Sequence, residues 1–412
     1  MFFRRMGVNT GSSVWSRVLA LSTVFFLIGL SDSVLSYWVP PFVQKTLGSA
    51  LLMGVVLSFS SIVGLSADIV LPQLLQGAGV RKLIMISVFL SLGFGALLLL
   101  SYRVTSVFVL LLAMGTWGVY YELLNFSRQQ FLANNTPHNI HASASAVLFT
   151  FRGLAYTIGP LIAGFLLTSS TQAPIVFALV ITVIGGLALR ISRLGSGGHV
   201  NLEIKNVNFV SELKHWKTLF RVVWPMIAMS IFMGIIDSVF WTSGTVFSEK
   251  MSGNIIARFI LPAYMLPMVL VGPLLARMNI VSGKKRKAQI LYLVSGFLLV
   301  LVGFADNLAA VVFFVFASSV MSAAAYPLVD AVYGDMVERL GRQRWHLIGL
   351  SSSATSVAYI VGPILSGFVS GIVGEQKTFA VFGIGAVVLS VVLLFTTKRK
   401  FTLPQSEIAR WV

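Results

Sequence analysis

The 412-residue chain is 57% hydrophobic and only 10% charged, with a net charge of +17 and a mean hydropathy of +0.89. Soluble domains carry roughly a quarter of their residues as charges, so this composition excludes an ordinary globular enzyme. There is no cysteine, which removes disulfides, thiolate metal sites and cysteine nucleophiles from consideration.

Each bilayer crossing takes roughly 20 apolar residues, because backbone polar groups in lipid must be satisfied within a helix. Apolar runs predict twelve spans, at 17–39, 50–74, 83–101, 105–127, 142–168, 173–191, 222–244, 256–277, 287–305, 308–334, 346–370 and 377–397. The first follows Met1-Phe2-Phe3-Arg4-Arg5 but is too long for a secretory signal and contains Asp32, so it reads as a retained helix. The eighth carries Pro262, Pro267 and Pro273 and is expected to kink.

Of the 30 Lys and Arg residues, five (Lys45, Arg103, Lys250, Arg258 and Lys377) fall on the odd-numbered connections. Arg152 lies inside a span, and the other 24 sit on the even-numbered connections and the termini. The positive-inside rule then places both termini in the cytoplasm. The basic balance is topological, and nucleic acid is not an expected partner.

Residues 192–221 form the one long connection, opening with Gly195-Ser196-Gly197-Gly198. Phe209, Leu213, Trp216 and Phe220 recur there at helical spacing, which suggests an amphipathic strap on the inner membrane surface; a solvated linker is the alternative. The expected organisation is a six-helix bundle over 1–191, this linker, and a second six-helix bundle over 222–412 with a short tail.

The two bundles repeat one another. Gly29-Leu30-Ser31-Asp32-Ser33-Val34 returns 205 positions later as Gly234-Ile235-Ile236-Asp237-Ser238-Val239, and Phe42, Lys45, Tyr121 and His141 return as Phe247, Lys250, Tyr326 and His346. At a register of 203, Ala155-Tyr156 with Gly159-Pro160 and Gly164-Phe165 returns as Ala358-Tyr359 with Gly362-Pro363 and Gly367-Phe368. A duplicated membrane bundle with an acid inside each half is the layout of a secondary transporter.

Two further features carry a resemblance. The connection after the second span reads Pro72-Gln73-Leu74-Leu75-Gln76-Gly77-Ala78-Gly79-Val80-Arg81-Lys82, and the second half offers Gly272-Pro273-Leu274-Leu275-Ala276-Arg277 and Gly283-Lys284-Lys285-Arg286. With the twelve-span duplicated layout, the chain resembles the major facilitator superfamily, whose loop pattern is Gly-x-Leu-x-Asp-Arg-x-Gly-Arg-Arg. Both loops here lack the Asp, so an acidic partner for the inner-gate cations Arg81, Lys82 and Arg277 must come from elsewhere, with Asp68 and Asp335 the candidates. Gly159-Pro160-Leu161-Ile162-Ala163-Gly164 in the fifth span is similar to an element of the superfamily's proton-coupled exporters. Its copy Gly362-Pro363-Ile364-Leu365-Ser366-Gly367 equally supports a packing role, because glycine admits close helix approach and proline bends the segment. The resemblance implies a fold of two pseudo-symmetric six-helix bundles around a central cavity.

Seven ionisable groups lie in or at the edge of spans: Asp32, Asp68, Glu122, Arg152, Asp237, Asp330 and Asp335. Each costs roughly 2.5–3.5 kcal/mol to insert and so needs a partner or a function. Asp32, with Gly29 and Ser36 on its helical face, and Asp237, with Ser230, Met233 and Trp241, are expected on polar stripes where a carboxylate binds a cation or carries a proton; the alternative is a hydrogen bond to a neighbouring helix and nothing more. Trp117, Tyr121 and Asn125 in the fourth span are answered by Ser322, Tyr326 and Asp330 in the tenth. Arg152 is expected to pair with Glu122 or Asp68, and Asp335 with Arg277 or Arg339.

No GxxxxGK[ST] loop occurs, so the expected energy source is an ion gradient, with protons the default. Two acids, Arg152 and the rings of Tyr37, Trp117, Tyr121, Trp241 and Tyr326 suit an amphipathic or cationic organic solute. Efflux by proton antiport is the leading expectation, with proton-linked import of a sugar or other metabolite its rival. A membrane-embedded enzyme is disfavoured because the five histidines lie in loops or at helix ends, and a transport-inactive sensor or scaffold is the third class. No cofactor or metal is expected. The chain is expected to act as a monomer in a prokaryotic cytoplasmic membrane.

Overall fold

The computed structural model of the chain describes residues 12–75, 78–137, 140–192, 209–277, 283–398, 401–402 and 405–408. The described residues are mostly helical, with no strand among them. The helices are α1 (Ser12–Leu47), α2 (Ala50–Leu74), α3 (Val80–Arg103), α4 (Val107–Asn135), α5 (His141–Leu166), α6 (Ala173–Ile191) and α7 (Phe209–Val239). A π-turn, Phe240–Gly244, joins α7 to α8 (Thr245–Lys250). Then follow a 3-10 turn at Ile255–Phe259, α9 (Ile260–Arg277), α10 (Lys284–Gly303), α11 (Leu308–Leu340), α12 (Arg344–Val373), α13 (Glu375–Thr396) and a short α14 (Gln405–Ile408).

Eleven of these runs are long and apolar enough to cross a membrane, α7 and α8 counting as one. The eighth predicted span, 256–277, is formed by the 3-10 turn at Ile255–Phe259 running directly into α9, Ile260–Arg277. Pro262 sits within the first turn of α9, where its missing N–H leaves no bond unmade. Large apolar side chains on the outer faces, such as Phe108, Ile191 and Phe395, are exposed as lipid-facing residues must be. The protein is therefore a multi-pass membrane protein.

Several boundaries differ from the hydropathy reading, α1 among them, which runs from Ser12 to Leu47 rather than over 17–39. The described part of the strap, from Phe209, is not a separate element but the first turns of α7, which runs unbroken to Val239; Gly195–Gly198 lies outside the described residues. α4 continues eight residues beyond its predicted end at 127, and α11 six beyond 334. Apolar length measures the hydrocarbon layer, whereas polar residues continue the helix beyond it.

The helices gather into two compact units. The first holds α1 up to Ser36 and the chain from Ile62 through α6; the second holds Tyr37–Ser61 with α7 to α13. In the first, α3 packs on α4 and α6, and Val18, Leu21, Val24 and Ile28 of α1 join Ile84, Val88, Tyr120 and Leu148 in its core. In the second, α10 packs on α11 and α13, and α7 on α12. The turn between α1 and α2 uses Gly48 at φ +65°, a left-handed conformation that favours glycine.

The helix-packing glycines meet serines at the same point of each repeat. A β-carbon on Gly159 of α5 would fall 1.7 Å from Ser33 Oγ of α1, and one on Gly362 of α12 would fall 2.7 Å from Ser238 Oγ of α7. Gly367 lies against the Ala50 carbonyl of α2. Small residues let these helices approach without a side chain between them.

Candidate functional site

Each repeat holds its aspartate in a cradle of ring donors. In the first unit, Asp32 is 4% exposed. Trp117 Nε1 of α4 donates to its Oδ1 at 2.6 Å, and the Tyr156 hydroxyl of α5 donates to its Oδ2. Trp117 is held flat against Phe94 of α3, with ring centroids 5.4 Å apart. In the second unit, Asp237 is 9% exposed. Tyr264 of α9 donates to its Oδ1 at 2.6 Å, and Tyr359 of α12 donates to its Oδ2. Phe240, in the π-turn, stacks on Tyr264 at 3.8 Å.

The Asp–Tyr pair is thus duplicated, α1 to α5 in one unit and α7 to α12 in the other. The third partner is not: Trp117 comes from α4, and Tyr264 from α9. Buried carboxylates need such donors, since an unsatisfied buried acceptor costs about 1–3 kcal/mol and a charged one more.

The environment of Arg152 corrects one expectation. Its guanidinium donates to the Tyr121 hydroxyl and lies 5.0 Å from the Tyr121 ring and 5.4 Å from that of Tyr156, a cation–π arrangement. Neither Glu122 nor Asp68 forms a salt bridge with it among the described residues. Those two carboxyl groups instead hydrogen-bond each other across α2 and α4, and Asn125 Nδ2 donates to Glu122 Oε2 at 3.4 Å. Arg152 faces the cavity along with Asp32, whereas Glu122 is turned toward Gly64 and Asp68 of α2.

Other expected residues disperse. The Tyr37 hydroxyl pairs with Ser248 Oγ of α8 at 2.8 Å, inside the second unit. Trp241 lies in the π-turn. Tyr326 stands on α11 within electrostatic reach of Asp237 and Asp330, and Asp330 is exposed. Asp335 pairs with Lys284 of α10 at 2.8 Å rather than with Arg339, because α10 is the direct neighbour of α11. Arg81 donates to the Arg190 carbonyl at 3.0 Å, at the last turn of α6 where carbonyls are otherwise unpaired. Lys82 is exposed, and the Arg277 side chain lies outside the described residues.

Four residues of these sites were absent from the expected set. Tyr156 and Tyr359 stood in the repeated motif, and that repetition was their signal. Tyr264 has Phe59 at the corresponding register and so no echo. Arg128 was counted as a loop cation, but it lies inside α4 and lines the cavity around Asp32. Among the described residues no group of three His, Cys, Asp or Glu could hold a metal ion.

The family model of the Major Facilitator Superfamily matches residues 21–257 and 246–410. No curated protein matches the chain in sequence. A solved structure concerned with substrate recognition in proton-dependent oligopeptide transporters is similar at a TM-score of 0.72 and 12% identity, over 93% of this chain and 97% of that one. A bacterial homologue of the human lysosomal transporter Spinster, inward-facing and unoccupied, gives a TM-score of 0.65 at 12% identity, over 96% of this chain and 100% of that one. A peptide transporter in complex with sulfate gives 0.71 at 11% identity, over 96% and 95%.

Proposed function

The chain belongs to the Major Facilitator Superfamily, and from that premise we propose that it is a proton-coupled secondary transporter that moves an amphipathic organic solute out of the cell by alternating access. The observation that carries this reading is the duplicated Asp–Tyr pair, Asp32 with Tyr156 and Asp237 with Tyr359. A carboxyl group whose two oxygens sit on neutral donors can take up and release a proton without losing a structural ion pair. The phenol and indole supply hydrogen bonds to the charged form, and burial opposes that form. The bodies that rock are the two repeats, 1–191 and 222–412, with 192–221 as their link and both termini in the cytoplasm. The chain works as a monomer in the cell membrane and performs no covalent chemistry.

Efflux draws on the Gly159-Pro160 element of α5. Import keeps support from the equal copy at Gly362-Pro363 in α12, which ties the element to packing. Purified protein in liposomes, given an imposed pH gradient and a panel of anionic, neutral and cationic amphiphiles, should concentrate one class against its gradient. Asp32→Asn and Asp237→Asn proteins should lose that uphill movement while retaining downhill exchange. Everted vesicles fix the direction, since only an exporter fills them. Gradient-independent flux, or no flux with any class, would overturn the proposal, and the latter would favour a sensor or scaffold.

A further inference from the structure

Between α1, α4 and α5, inside the first unit, lies a cavity with about 30 Å³ of free space. That volume suits a small polar headgroup, not a whole solute. Two guanidiniums line it, Arg128 and Arg152, against a single carboxylate, Asp32. Among the described residues neither arginine has a carboxylate within 4 Å. The two acids within electrostatic reach of Arg152 are engaged otherwise: Asp32 accepts from Tyr156 and Trp117, and Glu122 is bonded to Asp68 and Asn125.

Two polar groups of the lining are buried with no hydrogen-bond partner. One is Nε of Arg128, whose guanidinium lies 4.4 Å from the Phe149 ring. The other is the hydroxyl of Tyr120, a side chain only 1% exposed. Buried donors are almost always satisfied, and an arginine within a span marks a functional site by default. The planar fork of arginine matches carboxylate and phosphate oxygens.

We propose that this cavity binds the anionic head, a carboxylate or a phosphate monoester, of the transported solute. Arg128 and Arg152 are its cationic contacts and the Tyr120 hydroxyl its neutral donor. The proposal rests on the transport reading above and gives that solute its charge. A cationic head would meet two like charges here, so of the amphipathic or cationic solutes expected from the sequence the cationic ones are disfavoured.

The test is calorimetric titration of the full chain in lipid nanodiscs, without any gradient. The probes share one phenyl body and differ in the head: 3-phenylpropionate, phenyl phosphate, 3-phenylpropionamide and 3-phenylpropylamine. The acid or the phosphate should bind at least about tenfold more tightly than the amide and the amine, and comparison of the two anions tells which head the site prefers. Arg128→Gln and Arg152→Gln should each erase most of that preference, Arg128→Lys should keep part of it, and Tyr120→Phe should weaken anion binding a few-fold. Wild-type protein that binds the amine or amide as well as the anions, or no anionic probe at millimolar concentration, overturns the proposal. So does an anion preference unchanged in both Gln variants. Because binding is read without flux, anion preference in a protein that moves nothing would sink the transport reading and leave the site standing.

Discussion

Gly54 of α2 lies so close to Pro363 of α12 that a β-carbon on the glycine would fall 2.1 Å from the proline carbonyl oxygen. The obstacle is backbone, so no rotamer change relieves it. Gly54→Ala should push α2 away from α12 and destabilise the fold by about 1–3 kcal/mol, read as a lower unfolding midpoint in detergent. Gly93→Ala, where the nearest atom is a methyl 4.0 Å away, is the matched control and should be neutral or mildly stabilising. Equal behaviour of the two variants would contradict the close approach.

The two Asp–Tyr pairs should respond alike. Tyr156→Phe or Tyr359→Phe removes one donor from a buried carboxylate and should cost about 1–3 kcal/mol of stability. A double-mutant cycle of Tyr156→Phe with Asp32→Asn should show a coupling of about 0.5–3 kcal/mol, measured by chemical unfolding in micelles. Strict additivity would show that the hydrogen bond carries no energy.

A hydrogen bond between two carboxyl groups needs one shared proton, and Asp68 and Glu122 are bonded in this way. Glu122→Gln supplies a permanent N–H donor of the same shape and should leave the unfolding midpoint nearly unchanged. Glu122→Ala should lower it, because Asp68 loses its partner and a void opens beside Gly64. If Gln is as harmful as Ala, the acids hold no common proton.

The π-turn is tied down by Ser366 of α12, whose Oγ lies 2.6 Å from both Thr242 Oγ1 and Ser243 Oγ. Ser366→Ala should cost about 1 kcal/mol for each bond lost. Amide hydrogen exchange should speed up at 240–245 before it does elsewhere in α7. Unchanged protection there would mean the turn is held by its own backbone.

Most of the architecture was legible because lipid imposes a simple rule: apolar runs of the right length must be helices. Asp32 and Asp237 stood out for the same reason, a charge where none is cheap. Partners were harder to see. Nothing about a tyrosine in a membrane span is anomalous, so Tyr156 and Tyr359 were visible as a repetition but not as hydrogen-bond donors. Arg128 was hidden by a boundary, since hydropathy ended its helix at 127 while hydrogen bonding carries it to Asn135. Pairings such as Asp335 with Lys284 depend on which helices are neighbours, and no spacing within one chain segment encodes that.

α1 runs without interruption from Ser12 to Leu47, whereas its counterpart takes the wider π-turn just after Asp237 and Ser238. Such a bulge displaces everything downstream by about 100°, the angle one residue occupies around an α-helix. On ideal helix geometry, Phe247 and Lys250 are therefore turned by about that angle relative to Phe42 and Lys45, although they occupy matching places in the repeat. Past that bend the matching letters no longer mean matching surroundings, and a substitution learned from one copy cannot be carried over to the other.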